Sequence, residues 1–194
     1  MSEIKVNKVS PATGTAITLG DSGDTFTVPS GATIVNSGTA TGFGGGKLLQ
    51  CLSATKTDTA TNSSTSFVDV TGLSVAITPA ATGSKILVSW HFSVNGNNAG
   101  SSMQIVRDST AICIGDAAGS RIRSSLSTAV TSGDQVRGHS GNFLDSPSTT
   151  SATTYKIQWR SNGNTDVCNK SVNDNDTADY NRPTSTITVM EIGA

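Results

Sequence analysis

Apolar and polar residues alternate along many short segments of this chain, which is the pattern of β-strands with one buried face. The clearest example is residues 85–95 (KILVSWHFSVN), in which every second side chain is large and apolar. Residues 185–192 (STITVMEI) are predicted to be a strand with both faces buried, and Asp108-Ser109 predicts a tight hairpin turn. The predicted strands are residues 47–54, 66–71, 73–78, 85–95, 102–107, 110–115, 135–142, 153–160, 166–172 and 185–192.

The ten short strands within residues 47–194 predict a β-sandwich of the jelly-roll type. Composition favours the same all-β class. Ser and Thr are abundant, at 28 residues each, and there are only two Glu. Charged residues make up 14% of the chain, against about 25% in an average domain. Long helices need more Leu, Glu, Lys and Arg on their surfaces than this chain has.

Residues 1–41 carry shorter alternating pieces at 15–19, 24–28 and 32–36, separated by the turn signals GDSG at 20–23 and PSG at 29–31. Burying one large apolar side chain stabilises by about 1.5–3 kcal/mol, and ordering one residue costs about 1.5 kcal/mol. The few apolar side chains here therefore cannot order the segment in an isolated chain. It is predicted to be an extended β-repeat stem wound with identical chains, or else a disordered tail. Residues 42–46 (GFGGG) predict a hinge.

The net charge of −1 and the scattered basic residues predict no nucleic-acid binding. No apolar run is long enough for a membrane span, and the N-terminus has no signal-peptide pattern. The three widely spaced cysteines, Cys51, Cys113 and Cys168, predict buried reduced thiols rather than a zinc or redox motif. No cofactor or metal is expected.

The residues that could support catalysis form no specific motif. His91 is predicted to lie on the strand face opposite the aromatic side chains. His139 next to Ser140, with Asp134 or Asp145, could form a triad only if the fold brought them together. Residues 173–179 (NDNDTAD) are interpreted as a solvated loop, with Ca²⁺ binding as the alternative. We expect no enzyme activity.

Two parts of the chain resemble structural proteins of tailed marine bacteriophages. Residues 2–16 (SEIKVNKVSPATGTA) and 19–33 (LGDSGDTFTVPSGAT) resemble the N-terminal module of such virion proteins. Residues 66–73 (SFVDVTGL), 84–88 (SKILV) and 187–192 (ITVMEI) resemble a C-terminal domain found in fibre-like virion proteins. The resemblance implies a homotrimer in the virion, with an N-terminal part joined to the particle and a jelly-roll head.

On this basis residues 1–41 are expected to attach the protein to tail or capsid proteins, and residues 47–194 to form the outward head. The residues predicted for virion attachment are Ile4, Val6, Val9 and Pro11, and those predicted for packing between chains of the stem are Ile17, Leu19, Phe26, Val28 and Ile34.

Several functions stay open within this expectation. A short tail fibre or spike would touch the host, where a low-charge Ser/Thr/Asn surface suits weak multivalent contact with surface glycans. A capsid decoration protein would instead stabilise the head shell. A polysaccharide depolymerase is a further alternative, although the 12 Asp residues show no paired spacing. A cellular adhesin is disfavoured because the sequence shows no export signal.

Overall fold

The computed structural model describes residues 9–18, 20–25, 27–33, 35, 47–96, 100–130 and 134–193, and these ranges contain β-strands and no helix. The predicted all-β class is confirmed. The chain divides into two compact units, Met1–Phe43 and Gly44–Ala194. The strands found among the described residues lie in the second unit: β1 Leu48–Lys56, β2 Ala60–Asn62, β3 Val68–Ile77, β4 Lys85–Asn95, β5 Ser102–Arg107, β6 Thr110–Ile112, β7 Leu126–Ser127, β8 Arg137–Asp145, β9 Thr153–Arg160, β10 Asp166–Cys168 and β11 Ser185–Ile192.

The strands form two antiparallel sheets, as in a β-sandwich. The main strands of sheet 1 follow the order β1-β11-β4-β8, and β10 and β2 extend the sheet beyond the end of β11. Sheet 2 follows the order β3-β9-β5-β6, with β7 pairing the start of β5. The chain termini of the second unit meet in sheet 1, because β1 pairs with β11 along most of its length.

The hydrophobic core lies between the inner faces of the two sheets. Phe92 of β4 meets Trp159 of β9 edge to face, with ring centroids 5.8 Å apart and planes at 82°. Around this pair, Val88 and Ile187 from sheet 1 and Ile157 from sheet 2 are fully buried. The alternation seen in the sequence therefore points one face of each main strand into a shared core.

The predicted strands at 85–95, 102–107, 153–160 and 185–192 are confirmed, as is the Asp108-Ser109 hairpin turn between Arg107 and Thr110. Asp108 takes the positive φ of 53° that this turn requires. The expectation that residues 185–192 bury both faces is wrong. Their side chains alternate between buried and half-buried, because only the inner face of β11 meets sheet 2.

Other predicted strand boundaries are corrected. The strands predicted at 66–71 and 73–78 are one strand, β3, which bulges where Gly72 has a φ of 91°. β8 begins and ends later than the predicted 135–142, and β6 and β10 are shorter than predicted. β2 and β7, of three and two residues, were not predicted, because such short strands carry no readable alternation.

In the first unit, the described residues contain the predicted turns. The Asp24 amide donates to the Asp21 carbonyl at 3.0 Å, and the Ala32 amide donates to the Pro29 carbonyl at 3.0 Å. The described residues of the pieces predicted at 15–19, 24–28 and 32–36 are not strands. A strand exists only where another backbone pairs with it, and the described part of the first unit supplies no such pairing.

The part of the chain that the structure describes has no helix with the length and apolar character needed to cross a bilayer.

Candidate functional site

Four of the residues predicted for attachment and stem packing are among the described ones. Val9, Ile17 and Val28 are 63%, 43% and 38% exposed, and Pro11 is half-buried. Val35, which was not among the predicted packing residues, is 82% exposed. Val9, Ile17, Val28 and Val35 therefore keep exposed apolar surface in a single chain. The remaining predicted residues lie outside the described ones: Ile4, Val6, Leu19, Phe26 and Ile34.

A polar cleft of about 240 Å³ opens on the outer face of sheet 1, where β4 and β8 meet the loop between β10 and β11. The register of β4 and β8 places Gly138 opposite Ser93, which leaves room for the His91 ring to lie across Gly138. The lining residues are His91, Ser93, Asp134, Val136, Gly138, Asp179, Asn181 and Pro183.

The His91 ring is held at both nitrogens by hydroxyl groups. Its Nδ1 lies 2.8 Å from Ser140 Oγ, and its Nε2 lies 3.1 Å from Ser93 Oγ. Ser93 Oγ donates its hydrogen to the Thr184 carbonyl at 2.9 Å, so it must accept from His91 Nε2–H. In the neutral ring, Nδ1 then accepts from Ser140. As predicted, His91 lies on the face opposite the buried Trp90.

The triad considered around His139 is not formed. Ser140 is hydrogen-bonded to His91, and Asp145 is bound by Arg107 and Tyr155. His139 lies on the inner side of β8, and its buried Nε2 has no hydrogen-bond partner among the described residues. Burial lowers the pKa of His139, and the neighbouring Arg137 guanidinium lowers it further.

The loop of residues 173–179 is held by ion pairs and hydrogen bonds. Asp174 pairs with Arg182 and, at 3.3 Å, with Lys170. Arg182 is the larger cause of the lowered pKa of Asp174. Tyr180 donates to Asp134 Oδ1 at 3.1 Å, and Asn173 donates to the same oxygen. The predicted loop between two strands is confirmed.

The Ca²⁺ alternative for this loop gains no support from its geometry. Within the described ranges, no three His, Cys, Asp or Glu side chains converge as metal ligands would. The Asp174 carboxylate already binds two cationic side chains, which occupy the oxygens that a cation would need.

Glu191, one of the two glutamates, is fully buried on the inner side of β11. Gln50 Nε2 donates to its Oε2 at 2.5 Å, and the Ala80 amide donates to its Oε1 at 2.7 Å. Burial raises the pKa of Glu191, but the hydrogen bonds outweigh burial, so the pKa lies below its ordinary value. This carboxylate ties the end of β11 to neighbouring segments.

The cysteines are free thiols, but only one of the three is buried as predicted. Burial raises the pKa of Cys168 to about 11. Cys113 is half-buried, and burial raises its pKa as well. The prediction is wrong for Cys51, which is exposed because it lies on the outer side of β1, an edge strand.

The chain matches no protein-family model, and no curated protein is similar to it in sequence.

Proposed function

We propose that this chain is a non-enzymatic structural protein of a bacteriophage virion. It assembles as a homotrimer through residues 1–41 and presents the sandwich as an outward head. The observation that carries this proposal is the exposure of Val9, Ile17, Val28 and Val35 in a single chain. Apolar side chains in an otherwise polar segment gain most when copies of the chain or a particle surface cover them.

We further propose that the head is a jelly roll, and its strand order supports this. With the short strands β2, β7 and β10 set aside, the two sheets are β1-β11-β4-β8 and β3-β9-β5-β6. A jelly roll consists of eight antiparallel strands in two sheets linked by Greek-key connections. The pairing of the first strand with the last and the repeated crossing between sheets fit that architecture.

As a short tail fibre or spike, the head would bind host-surface glycans in the polar cleft. Asp179 and Asn181 bring a carboxylate and an amide to one concave site beside the His91 ring, and these two groups suit the donors and acceptors of sugar hydroxyls. A single weak site gains avidity when three copies act together.

The native mass of the full-length protein tests the assembly. A mass near three times the chain mass of 19.8 kDa supports the proposal, and a monomer at all concentrations overturns it. Changing Val9, Ile17 and Val28 together to Ser should lower the native mass. The matched control changes the exposed Thr18 and Thr27 to Ser and should leave the mass unchanged.

Glycan binding is tested by adsorption of the purified protein to host cells and to their isolated surface polysaccharide. The Asp179→Asn and Asn181→Ala variants should bind less than the wild type. The control is Asp116→Asn, which changes an exposed loop carboxylate that does not line the cleft. Equal binding by all variants would rule out the cleft as the glycan site.

Capsid decoration is the alternative role, because the same exposed apolar residues would serve equally well to clamp neighbouring capsid subunits. Decoration predicts hundreds of copies per particle, whereas a tail fibre predicts tens or fewer. Quantitative gel analysis of purified virions separates the two roles.

A depolymerase is favoured by one observation, which is that Asp134 and Asp179 both line the cleft. Two carboxyl groups across a sugar-binding site are the usual arrangement for glycoside cleavage. Release of oligosaccharides from host polysaccharide by the wild type, lost in Asp179→Asn, would establish the enzyme and overturn the non-enzymatic proposal.

A further inference from the structure

The sequence contains two Asn-Gly dipeptides, and the fold places them in opposite surroundings. Asn95 is the last residue of β4 and is followed by Gly96, whereas Asn162 and Gly163 lie in the loop between β9 and β10. A further asparagine follows the glycine in both places, so the two sites are closely matched in local sequence. Any large difference in their chemical behaviour must therefore come from the tertiary structure.

An Asn-Gly dipeptide can lose ammonia without an enzyme. The backbone nitrogen of the glycine attacks the side-chain carbonyl carbon of the asparagine and forms a C–N bond with it. The side-chain nitrogen leaves as ammonia and takes the hydrogen of the glycine amide. The resulting five-membered succinimide adds one water molecule at either carbonyl group and opens to aspartate or isoaspartate. Glycine permits this attack more readily than other residues, because it has no Cβ and its backbone is less restricted.

The dipeptide in the β9–β10 loop has room for this reaction. Asn162 and Gly163 are both exposed. Apart from the chain neighbours of Gly163, no atom of the described residues lies within 4 Å of the position that a Cβ on this glycine would take. The Asn162 side chain rests on Gly100, with its Cγ 3.1 Å from the position of a Cβ there. Because Asn162 is exposed, its side chain can leave this contact without opening the core.

The dipeptide at the end of β4 is held in place on both its side chain and its backbone. Asn95 is fully buried, and its Nδ2 donates to the Gln135 carbonyl at 2.5 Å. Gly96 packs so closely on the backbone that a Cβ there would overlap the Thr128 carbonyl. The Val130 amide donates to the Gly96 carbonyl at 2.8 Å. Attack on the Asn95 side chain therefore requires a local opening of the fold.

We infer that Asn162 is a site of spontaneous deamidation in the folded protein and that the fold protects Asn95 from the same reaction. A local opening that costs about 1.4 kcal/mol lowers the reactive population tenfold, so Asn162 should convert at least ~10-fold faster than Asn95. Conversion replaces a neutral amide with a carboxylate and adds one negative charge to the formal net charge of −1. This chemistry requires only the folded second unit and does not depend on the proposed assembly.

The experiment incubates the full-length protein at mildly alkaline pH, which favours removal of the proton from the attacking glycine amide. Peptide mass spectrometry follows conversion at Asn162 and Asn95 over time. Digestion in heavy-oxygen water marks any conversion that occurs during sample preparation. A parallel incubation in urea removes the fold, and there the two sites should convert at similar rates because their local sequences are closely matched.

Isoelectric focusing of variants tests the assignment to one residue. The wild type should acquire an acidic isoform that Asn162→Gln lacks, because glutamine would have to close a six-membered ring, which is slower. The matched control is Asn164→Gln, which changes an exposed asparagine of the same loop that precedes Thr165 and should acquire the isoform at the wild-type rate. Near-ultraviolet circular dichroism checks that each variant retains the fold.

Faster conversion of Asn162 than of Asn95 in the folded protein, together with similar rates in urea, supports the inference. Equal rates at the two sites in the folded protein overturn it. If Asn162 converts in urea but not in the folded protein, the loop itself blocks the attack, and the inference is again wrong. If the two sites differ by the same ratio in urea, the fold is not the cause of the difference. An acidic isoform that forms at the wild-type rate in Asn162→Gln would assign the new charge to another residue and overturn the inference as well.

Discussion

Tyr155 donates its phenolic hydrogen to Asp145 Oδ2 at 2.7 Å, and this bond joins the two sheets of the sandwich at a buried position. Arg107 Nη1 donates to both oxygens of the same carboxylate, at 2.9 and 2.8 Å. Three strands, β5, β8 and β9, are thereby linked at one point by a charge-assisted network.

Replacing Tyr155 with Phe should lower the free energy of unfolding by about 1.5–3 kcal/mol, because a buried carboxylate loses a hydrogen-bond donor. Urea unfolding at neutral pH measures the change. Asp69→Asn, which breaks the half-exposed ion pair with Lys156, is the comparison and should cost about 0–1 kcal/mol. Equal losses of unfolding free energy in the two variants would contradict a larger contribution of the Tyr155 hydrogen bond.

The same tyrosine predicts a loss of stability in alkali. Burial is the main cause that raises the pKa of Tyr155, with the Asp145 carboxylate as the next cause. The neutral phenol therefore stabilises the fold fully below the unfolded pKa of about 10, and this contribution is lost as the pH rises above that value. Between about pH 9 and 11, the free energy of unfolding should decline less in Tyr155→Phe than in the wild type, as measured by urea unfolding at each pH.

His139 predicts that the free energy of unfolding decreases as the pH falls into the mildly acidic range. Its folded pKa is lowered, mainly by burial, so the unfolded chain binds a proton more readily than the folded one. Stability should therefore fall as the pH drops through the unfolded value of about 6.5. His139→Gln should flatten the pH dependence of the unfolding free energy between about pH 8 and 5. The prediction would be refuted if the pH dependence were the same in His139→Gln and the wild type. It would also be refuted if NMR gave His139 a pKa above about 6.5 in the folded protein.

Gly141 should tolerate no larger residue, because a methyl group there would overlap the buried ring of Trp90. Gly141→Ala should destabilise by about 1–3 kcal/mol through forced repacking. In Gly138→Ala the methyl group would meet the His91 ring on the outer face, where it has more room to move, so the loss should be smaller. Thermal unfolding of both variants measures the two losses of stability. A larger loss in Gly138→Ala than in Gly141→Ala would contradict this prediction.

Removing residues 1–43 should leave a folded sandwich, because the buried core extends from Val70 to Val189 and lies wholly in the second unit. The truncated protein should unfold cooperatively and keep the near-ultraviolet dichroism of Trp90 and Trp159. Under the proposed function it should fail to join particles. Incorporation of the truncated chain into virions would count against residues 1–41 as the anchor.

The alternation of residues 85–95 and 153–160 determined the strands β4 and β9 and the faces that they bury, because side chains of a strand alternate in direction whatever the fold. The turns at residues 29–31 and 108–109 could also be predicted from the sequence, because a tight turn depends on local backbone preference.

Only the tertiary structure decided which distant residues meet. Ser140 bonds His91 rather than the adjacent His139, because neighbouring residues of a strand point to opposite faces and the partner comes from the paired strand. The alignment of Leu144, Leu87, Met190 and Cys51 across the outward face of sheet 1 is likewise invisible in the sequence, where these residues lie far apart. Local patterns fix the direction of a side chain, whereas long-range register fixes its neighbours, and register follows from packing of the whole sandwich.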